Sequence, residues 1–434
     1  MERIVVFGPG PQFKGGLANY NTSLAKAFDK IEETEVHIVS WTQQYPSIIP
    51  RDYMDRKSKK DQLEGTNIKV HYLTNYNNPS TWNKTVRLIK SINPEKVIFQ
   101  WSIAIQGLPL GYIARKLKSR TQVKVFFDLH FVIQKEGSII DKRFTKYGIK
   151  RADAYIAHSY KTGRELETLY PEKKFFYIES LNQTHAEYLK DESGKTNANK
   201  SEIPIIKLYH PVYDMFSPEP EFDVEAHKNS LGLNRYVFLF FGFIRKYKGL
   251  HNAIQAFAEL AKKRDDISLL IVGESFWNTL DKKKLSTKIK QSLFNVAKSL
   301  FLKKQDDEKD YRPLDLIPEL GIEDKTTIIN EFVPNEEVNK YFQVSDAIVL
   351  YYLTATPSGV ESMAYNFDLP ILATKVGHFP ETIKDGYNGY LAEAESIRSM
   401  AEAMEKIITH PIEKANVAAS SKNMSWENYA RALL

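Results

Sequence analysis

Two short stretches of this 434-residue chain carry groups suited to gripping phosphate. In FFGFIRKYKGL, Phe240–Leu250, Arg245 and Lys248 follow directly on an apolar run that ends in a glycine turn. Arg245 offers a planar fork of donors and Lys248 a compact charge. In TPSGVESMAYNFDLPILATKVGHFPE, Thr356–Glu381, a Ser-Gly turn opens a helix, so that Thr356, Ser358, Gly359 and Val360 stand at its start. Backbone N–H groups there have no intrahelical partner, and the positive end of the helix dipole favours an anion. Two anion-binding turns at strand ends of one α/β domain point to a diphosphate-bearing ligand. Plainer alternatives stay open: Arg245 and Lys248 as exposed loop cations, Ser358 as an ordinary N-cap serine.

Other candidates stand singly. Gly15-Gly16 precede the helical stretch LANYNTSLAKAF and would let backbone approach a phosphate, or simply form a tight turn. His130 ends the apolar run FFDLH, and Glu136 follows six residues on. Glu274 closes LLIVGE, Phe332 and Pro334 stand in NEFVPNEEV, and Glu381 opens a helix after Gly377. A lone histidine is more often a packed or surface residue than a catalytic one, and Glu381 is as readily a helix N-terminal charge as a ligand contact.

The elements that must position these groups alternate. Apolar or β-branched runs at Ile4–Phe7, Val36–Ser40, Lys96–Gln100, Val123–Asp128 and Ala154–Ala157 predict strands covered on both faces. The pattern restarts after His210-Pro211, with strands predicted at Tyr236–Phe241, Ile267–Val272, Thr327–Ile329, Ala347–Tyr352 and Ile371–Thr374 and a helix at Leu250–Lys262. Two such halves imply two doubly wound, mostly parallel α/β domains with a hinge near Tyr209–Pro218. Ligands of such sheets bind outside the carboxyl ends of the strands, which predicts a site in a cleft between the domains.

Composition narrows the class. The chain is 42% hydrophobic and 26% charged, a globular profile. Its net charge of +6 is too mild at this length to signal a nucleic-acid partner. The absence of cysteine excludes disulfides and thiolate metal sites. The N-terminus lacks the long apolar segment of a signal peptide and no stretch is long enough to cross a bilayer, so the expected location is cytoplasmic. One segment breaks the alternation: 281–304, DKKKLSTKIKQSLFNVAKSLFLKK, has an apolar stripe and a lysine-rich polar face. It is either an inserted helix packed on its own domain or a helix lying on anionic membrane, which would make the protein peripheral at the inner membrane face.

Taken in order, these elements resemble the GT-B-fold glycosyltransferases of the large retaining family numbered 4 (glycosyl transferases group 1). The likeness runs over nearly the full length: Gly15-Gly16, His130 in FFDLHFVIQKE, AHS at Ala157–Ser159, HPVYDMF from His210, FFGFIRKYKG, IVGE ending at Glu274, NEFVPNEEV, SDAIVLYY, and the SGV…VGHFPE…DGYNGYL block. Many relatives carry two glutamates eight positions apart before the proline that opens the next strand. Counting back from Pro370 puts Ala355 and Met363 there instead, with Glu361 two residues out of step, so the chain is closer to a branch bearing SGV.

The resemblance implies a hexosyltransferase of two Rossmann-like domains facing each other across a cleft. These would be an acceptor-side domain at 1–212, with a C-terminal helix at 421–434 packing back on it, and a nucleotide-sugar domain at 213–420. The donor would be a UDP- or GDP-sugar and the acceptor a glycan or lipid-linked molecule in cell-surface polysaccharide synthesis. Arg245, Lys248 and His130 would be catalytic, with His130 on the transferred sugar. Gly15, Gly16, Glu274, Phe332, Pro334, Thr356, Ser358, Gly359 and Val360 would hold the donor, and Glu136 would orient the acceptor or act as base. Neither cofactor nor metal is expected, because the nearest Asp-x-Asp-like run, Asp306-Asp307-Glu308, has no strand before it. Three other possibilities remain open: a non-catalytic sugar- or nucleotide-binding GT-B protein, an epimerase and a phosphorylase. An oxidoreductase fails because Gly8-Pro-Gly10 does not complete a dinucleotide turn.

Overall fold

The computed structural model describes residues 1–46, 53–58, 61–119, 121–132, 139–178, 202–213, 215–275, 311–357 and 359–434. The predicted helix at 281–304, together with Ser358, Glu136 and Asp306–Glu308, lies outside them. The chain divides into two compact units: one built from Met1–Pro211 and Met424–Leu434, the other from Val212–Lys283 and Asp306–Asn423.

The first unit holds strands β1 (Glu2–Phe7), β2 (Thr34–Gln43), β3 (Lys69–Asn75), β4 (Lys96–Trp101), β5 (Lys124–Leu129), β6 (Ala154–Ala157), β7 (Lys174–Ile178) and β8 (Glu202–Lys207). They form one sheet in the order β3-β2-β1-β4-β5-β6-β8-β7, and every paired ladder is parallel. Helices α1 (Gly16–Asp29), α2 (Pro79–Ile92), α3 (Gly107–Lys118), α4 (Ile139–Ile149) and α5 (Tyr160–Leu169) connect the strands. The central strands are buried on both faces, so apolar side chains run along them without alternation. Phe7, Phe99 and Phe127 stack across β1, β4 and β5 with ring centroids 5.2 and 5.1 Å apart.

The second unit contains α6 (Val224–Ser230), β9 (Tyr236–Phe241), α7 (Leu250–Ala261), β10 (Ile267–Val272), α8 (Leu316–Glu319), β11 (Thr326–Ile329), α9 (Val338–Gln343), β12 (Ala347–Leu350), α10 (Gly359–Asn366), β13 (Ile371–Thr374), α11 (Phe379–Thr382), β14 (Gly389–Ala392), α12 (Ile397–Thr409) and α13 (Lys414–Ser421). Its parallel sheet has the order β11-β10-β9-β12-β13-β14. The last helix, α14 (Trp426–Arg431), belongs to the first unit and packs on α1. In each sheet the strand order reverses beside the first strand of the unit, between β1 and β4 and between β9 and β12. Such a reversal opens a crevice above the strand ends.

The predicted pair of parallel sheets is present, with strands that sequence patterning does not reveal. β3 and β7 lie at sheet edges and expose part of one face, which interrupts their apolar runs. β8 contains Pro204, which pairs with β7 before the β6 ladder begins at Ile205, so the missing N–H falls outside that ladder. β12 stops at Leu350 rather than the predicted Tyr352, because Tyr352 N turns back to Leu350 O at 2.7 Å.

Candidate active site

Two of the second unit's candidates, Lys248 and Val360, come near one point beside its strand reversal. After β9 the chain turns at Gly242, whose N–H donates to Val272 O at 2.9 Å, and Ile244 N donates to Glu274 O at 3.0 Å. Arg245 then leads into a 3-10 turn, Lys246–Lys248, which ends at Gly249. Gly249 has φ 65°, and a Cβ there would stand 1.9 Å from Tyr351 O. Only glycine fits that close approach, and it seats the turn against the end of β12.

This seating carries Lys248 inward until it is 8% exposed. Its Nζ lies 5.8 Å from the Tyr352 ring centroid and 3.0 Å from the point where a Cβ on Gly242 would be. The Val360 side chain, in the first turn of α10, comes within 3.4 Å of the same point. Lys248, the Gly242 turn and the start of α10 therefore border one place. Burial, with the neighbouring Arg245 charge, pushes the Lys248 pKa down to about 8. An anion arriving there would restore the proton's stability. Arg245 is half-buried, and the backbone of Gly359 rests on Tyr213, whose ring would be 2.7 Å from a Cβ at that position.

The remaining donor-side candidates are spread along the sheet end. Glu274 is half-buried beside the Gly242 turn through its carbonyl, and Ser275 after it bonds Asn330 Oδ1 through both N (2.9 Å) and Oγ (2.8 Å). Phe332 and Pro334 follow β11 at the sheet edge, half-buried, with Pro334 heading the 3-10 turn Asn335–Glu337. Thr356 is exposed in the irregular segment before α10, and Glu381 is half-buried in the four-residue α11. Ala355 and Met363 are both buried. Glu361 sits inside α10, 5% exposed, and accepts from His378 Nε2 and Thr382 Oγ1. That buried pairing was not apparent in the sequence, since His378 lies 17 positions away beyond β13.

In the first unit Gly15, with φ 95°, caps α1 without a side chain, and nothing lies within 4 Å of where its Cβ would be. Gly16 begins the helix and is exposed. His130 follows β5 and bonds Gln100 Oε1 through Nε2 at 2.7 Å. It stands in a cluster that sequence reasoning missed. Asp128, fully buried, accepts from Tyr20 (2.8 Å) and Tyr429 (3.1 Å) on one oxygen and pairs with His158 Nε2 (2.8 Å) on the other. The Tyr20 ring lies edge-on to His130, His158 and His210 at 4.8, 5.7 and 5.1 Å. Burial lowers the pKa of His130 to about 4 and that of His210 to about 3, so both rings are neutral near pH 7. Burial alone would raise the Asp128 pKa; His158 and the hydroxyl donors outweigh it and hold the carboxyl below its ordinary range. The available signal was a carboxylate inside an otherwise apolar strand.

Among the described residues no group of three or more His, Asp or Glu is placed to hold a metal ion. No described helix is long and apolar enough to cross a membrane.

Comparison with known proteins agrees with this architecture. The sucrose-phosphate synthase of Thermosynechococcus elongatus matches over 100% of this chain and 95% of its own, with TM-score 0.59 and 14% identity. Anabaena HepE, solved with UDP-glucose, matches over 99% and 98%, with TM-score 0.62 and 14% identity. These likenesses are of fold, two Rossmann-like sheets of the GT-B type. Among curated relatives, a D-inositol 3-phosphate glycosyltransferase of Corynebacterium urealyticum is 22% identical over 58% of this chain and 54% of its own length. Spore coat protein SA of Bacillus subtilis is 24% identical over 53% and 55%. The chain spans about half the length of these curated relatives. The family profile described as glycosyl transferases group 1 matches residues 222–430, the stretch that holds the Gly242 turn, Lys248 and α10. Over that stretch, just under half of its length, the chain is similar to the glycosyl transferases of group 1.

Proposed function

We propose that this protein transfers a sugar from a nucleoside-diphosphate sugar to a glycan or lipid-linked acceptor hydroxyl, with retention of anomeric configuration, in cell-surface polysaccharide synthesis. The observation that carries the proposal is the meeting of Lys248 Nζ and the first turn of α10 at Gly242, beside Arg245. In such a transfer the bond from the anomeric carbon to the β-phosphate oxygen breaks and its electron pair stays on the phosphate. The acceptor oxygen bonds the anomeric carbon on the same face, and its proton passes to the departing phosphate. Fixed positive groups aimed at that charge are the largest catalytic contribution expected of the protein. Arg245, Lys248 and the amides of α10 supply them here, in place of a divalent ion. We assign Thr356, Ser358, Gly359 and Val360 to the diphosphate, Glu274, Phe332 and Pro334 to the nucleoside, Gly15 and Gly16 to the donor phosphates, and His130 to the transferred sugar. A uridine donor is favoured by the neighbour solved with UDP-glucose.

The test is a thermal-shift panel of UDP, GDP, ADP and their sugars, followed by assay of nucleoside diphosphate release. A ligand that binds the folded chain raises its melting temperature. One nucleoside diphosphate is expected to do so in the parent and not in Lys248→Ala. A panel in which no nucleotide shifts the parent would sink the proposal.

A further inference from the structure

Helices α2, α3 and α4 of the first unit carry a marked surplus of positive charge. They read PSTWNKTVRLIKSI, GLPLGYIARKLK and IIDKRFTKYGI: nine Lys and Arg against the single Asp141. That surplus of eight exceeds the +6 of the whole chain. Lys118 and Lys146 pair with Asp153 and Glu172, leaving the other cations to set the charge of these helices.

The three helices pack in sequence, α2 on α3 and α3 on α4. Their outward stripes follow helical spacing: Asn83, Arg87 and Lys90; Leu108, Tyr112, Arg115 and Lys116; Arg143 and Tyr147. Side-chain contacts join the stripes. Tyr112 OH donates to Asn83 Oδ1 at 2.7 Å, and Trp82 lies 5.8 Å from the Tyr112 ring. Arg115 and Lys116 each stand 5.7 Å from that ring, and the Tyr147 ring reaches within 2.6 Å of where a Cβ on Gly111 would be. Leu108 and Tyr147 are also two of the few large hydrophobic residues left exposed among those described, at 41% and 38%.

We propose that this α2–α4 face docks on an anionic lipid bilayer. Long basic side chains would reach headgroup phosphates, while Leu108, Tyr112 and Tyr147 enter the headgroup boundary, where amphipathic rings are favoured. A soluble polyanion would use the same charges but has no apolar phase for Leu108. The surface shares no residue with the stretch 281–304 or with the proposed diphosphate site.

The experiment floats the full chain with phosphatidylcholine vesicles, with and without phosphatidylglycerol, at low and high salt. The parent should bind only anionic vesicles and lose binding in salt. Each basic residue near such a surface contributes several-fold, so Arg87→Glu/Arg115→Glu/Lys116→Glu should weaken binding by at least about 50-fold. Leu108→Ser/Tyr147→Ser should weaken it by about ten-fold, and reads the same face should the triple variant fail to fold. Melting with and without UDP reports fold and nucleotide binding in each variant, so loss of docking is distinguished from loss of the nucleotide site. Undiminished binding by the variants, which would place the attraction in 281–304, overturns the proposal. So does parental binding to heparin without binding to vesicles.

Discussion

The hydroxyls of Tyr20 and Tyr429 lie 2.6 Å apart, although 409 positions separate them in the chain. Both donate to the same oxygen of Asp128, so the first and last helices of the unit are joined through one buried carboxylate. Removing one hydroxyl leaves that oxygen a single donor and costs about 1–2 kcal/mol. Removing the carboxylate strands two hydroxyls and His158. We expect Tyr429→Phe to lose about 1–2 kcal/mol in urea unfolding and Asp128→Ala about 3 kcal/mol or more. Equal stability of Asp128→Ala and parent would show that the cluster is not a structural tie.

Arg245 and Lys248 are expected to act on turnover rather than on folding. Loss of one charge-stabilising group typically raises the barrier by about 3–4 kcal/mol. Arg245→Ala and Lys248→Ala should therefore slow sugar transfer or nucleotide release by about 100-fold or more. Circular dichroism should remain that of the parent. Rates within a few-fold of the parent in both variants would remove the proposed diphosphate site.

The lowered pKa of Lys248, about 8, sets a pH signature. Below that value the ammonium is charged in the free protein and ready for an anion. Above it, binding must take up a proton, so affinity for a nucleoside diphosphate should fall up to about ten-fold per pH unit. Lys248→Arg stays charged throughout and should abolish this decline. Without ligand the sign reverses. Between about 8 and the ordinary lysine value of 10.5 the unfolded chain holds the proton that the folded chain has released, so stability contributed by this group rises with pH. Calorimetric titration and urea unfolding across that window check both slopes.

Gly249 should tolerate no side chain. With φ 65° and Tyr351 O only 1.9 Å from a would-be Cβ, Gly249→Ala must move backbone. We expect a cost of about 2 kcal/mol or more, together with weaker nucleotide binding, because the turn that buries Lys248 is displaced. Gly232→Ala, at φ 65° with nothing within 4 Å, isolates the backbone strain from the collision and should cost about 1 kcal/mol.

Apolar runs such as YVFLFF and ISLLIV, separated by helical periods, were enough to read two parallel α/β sheets from the sequence, because strands covered on both faces cannot hide their hydrophobicity. Glycines and cations directly after such a run likewise marked where Arg245, Lys248 and Gly359 stand relative to strand and helix. Local sequence carries that information, since it depends only on which residues follow a strand end. What tertiary structure alone decided was proximity. It set Val360 and Lys248 beside the same glycine, gave Glu361 to His378, and gathered Tyr20, Asp128, His158 and Tyr429 around one charge. Each of these meetings is made by strand order and helix packing between distant segments, and burial then sets the charge state of the groups it encloses.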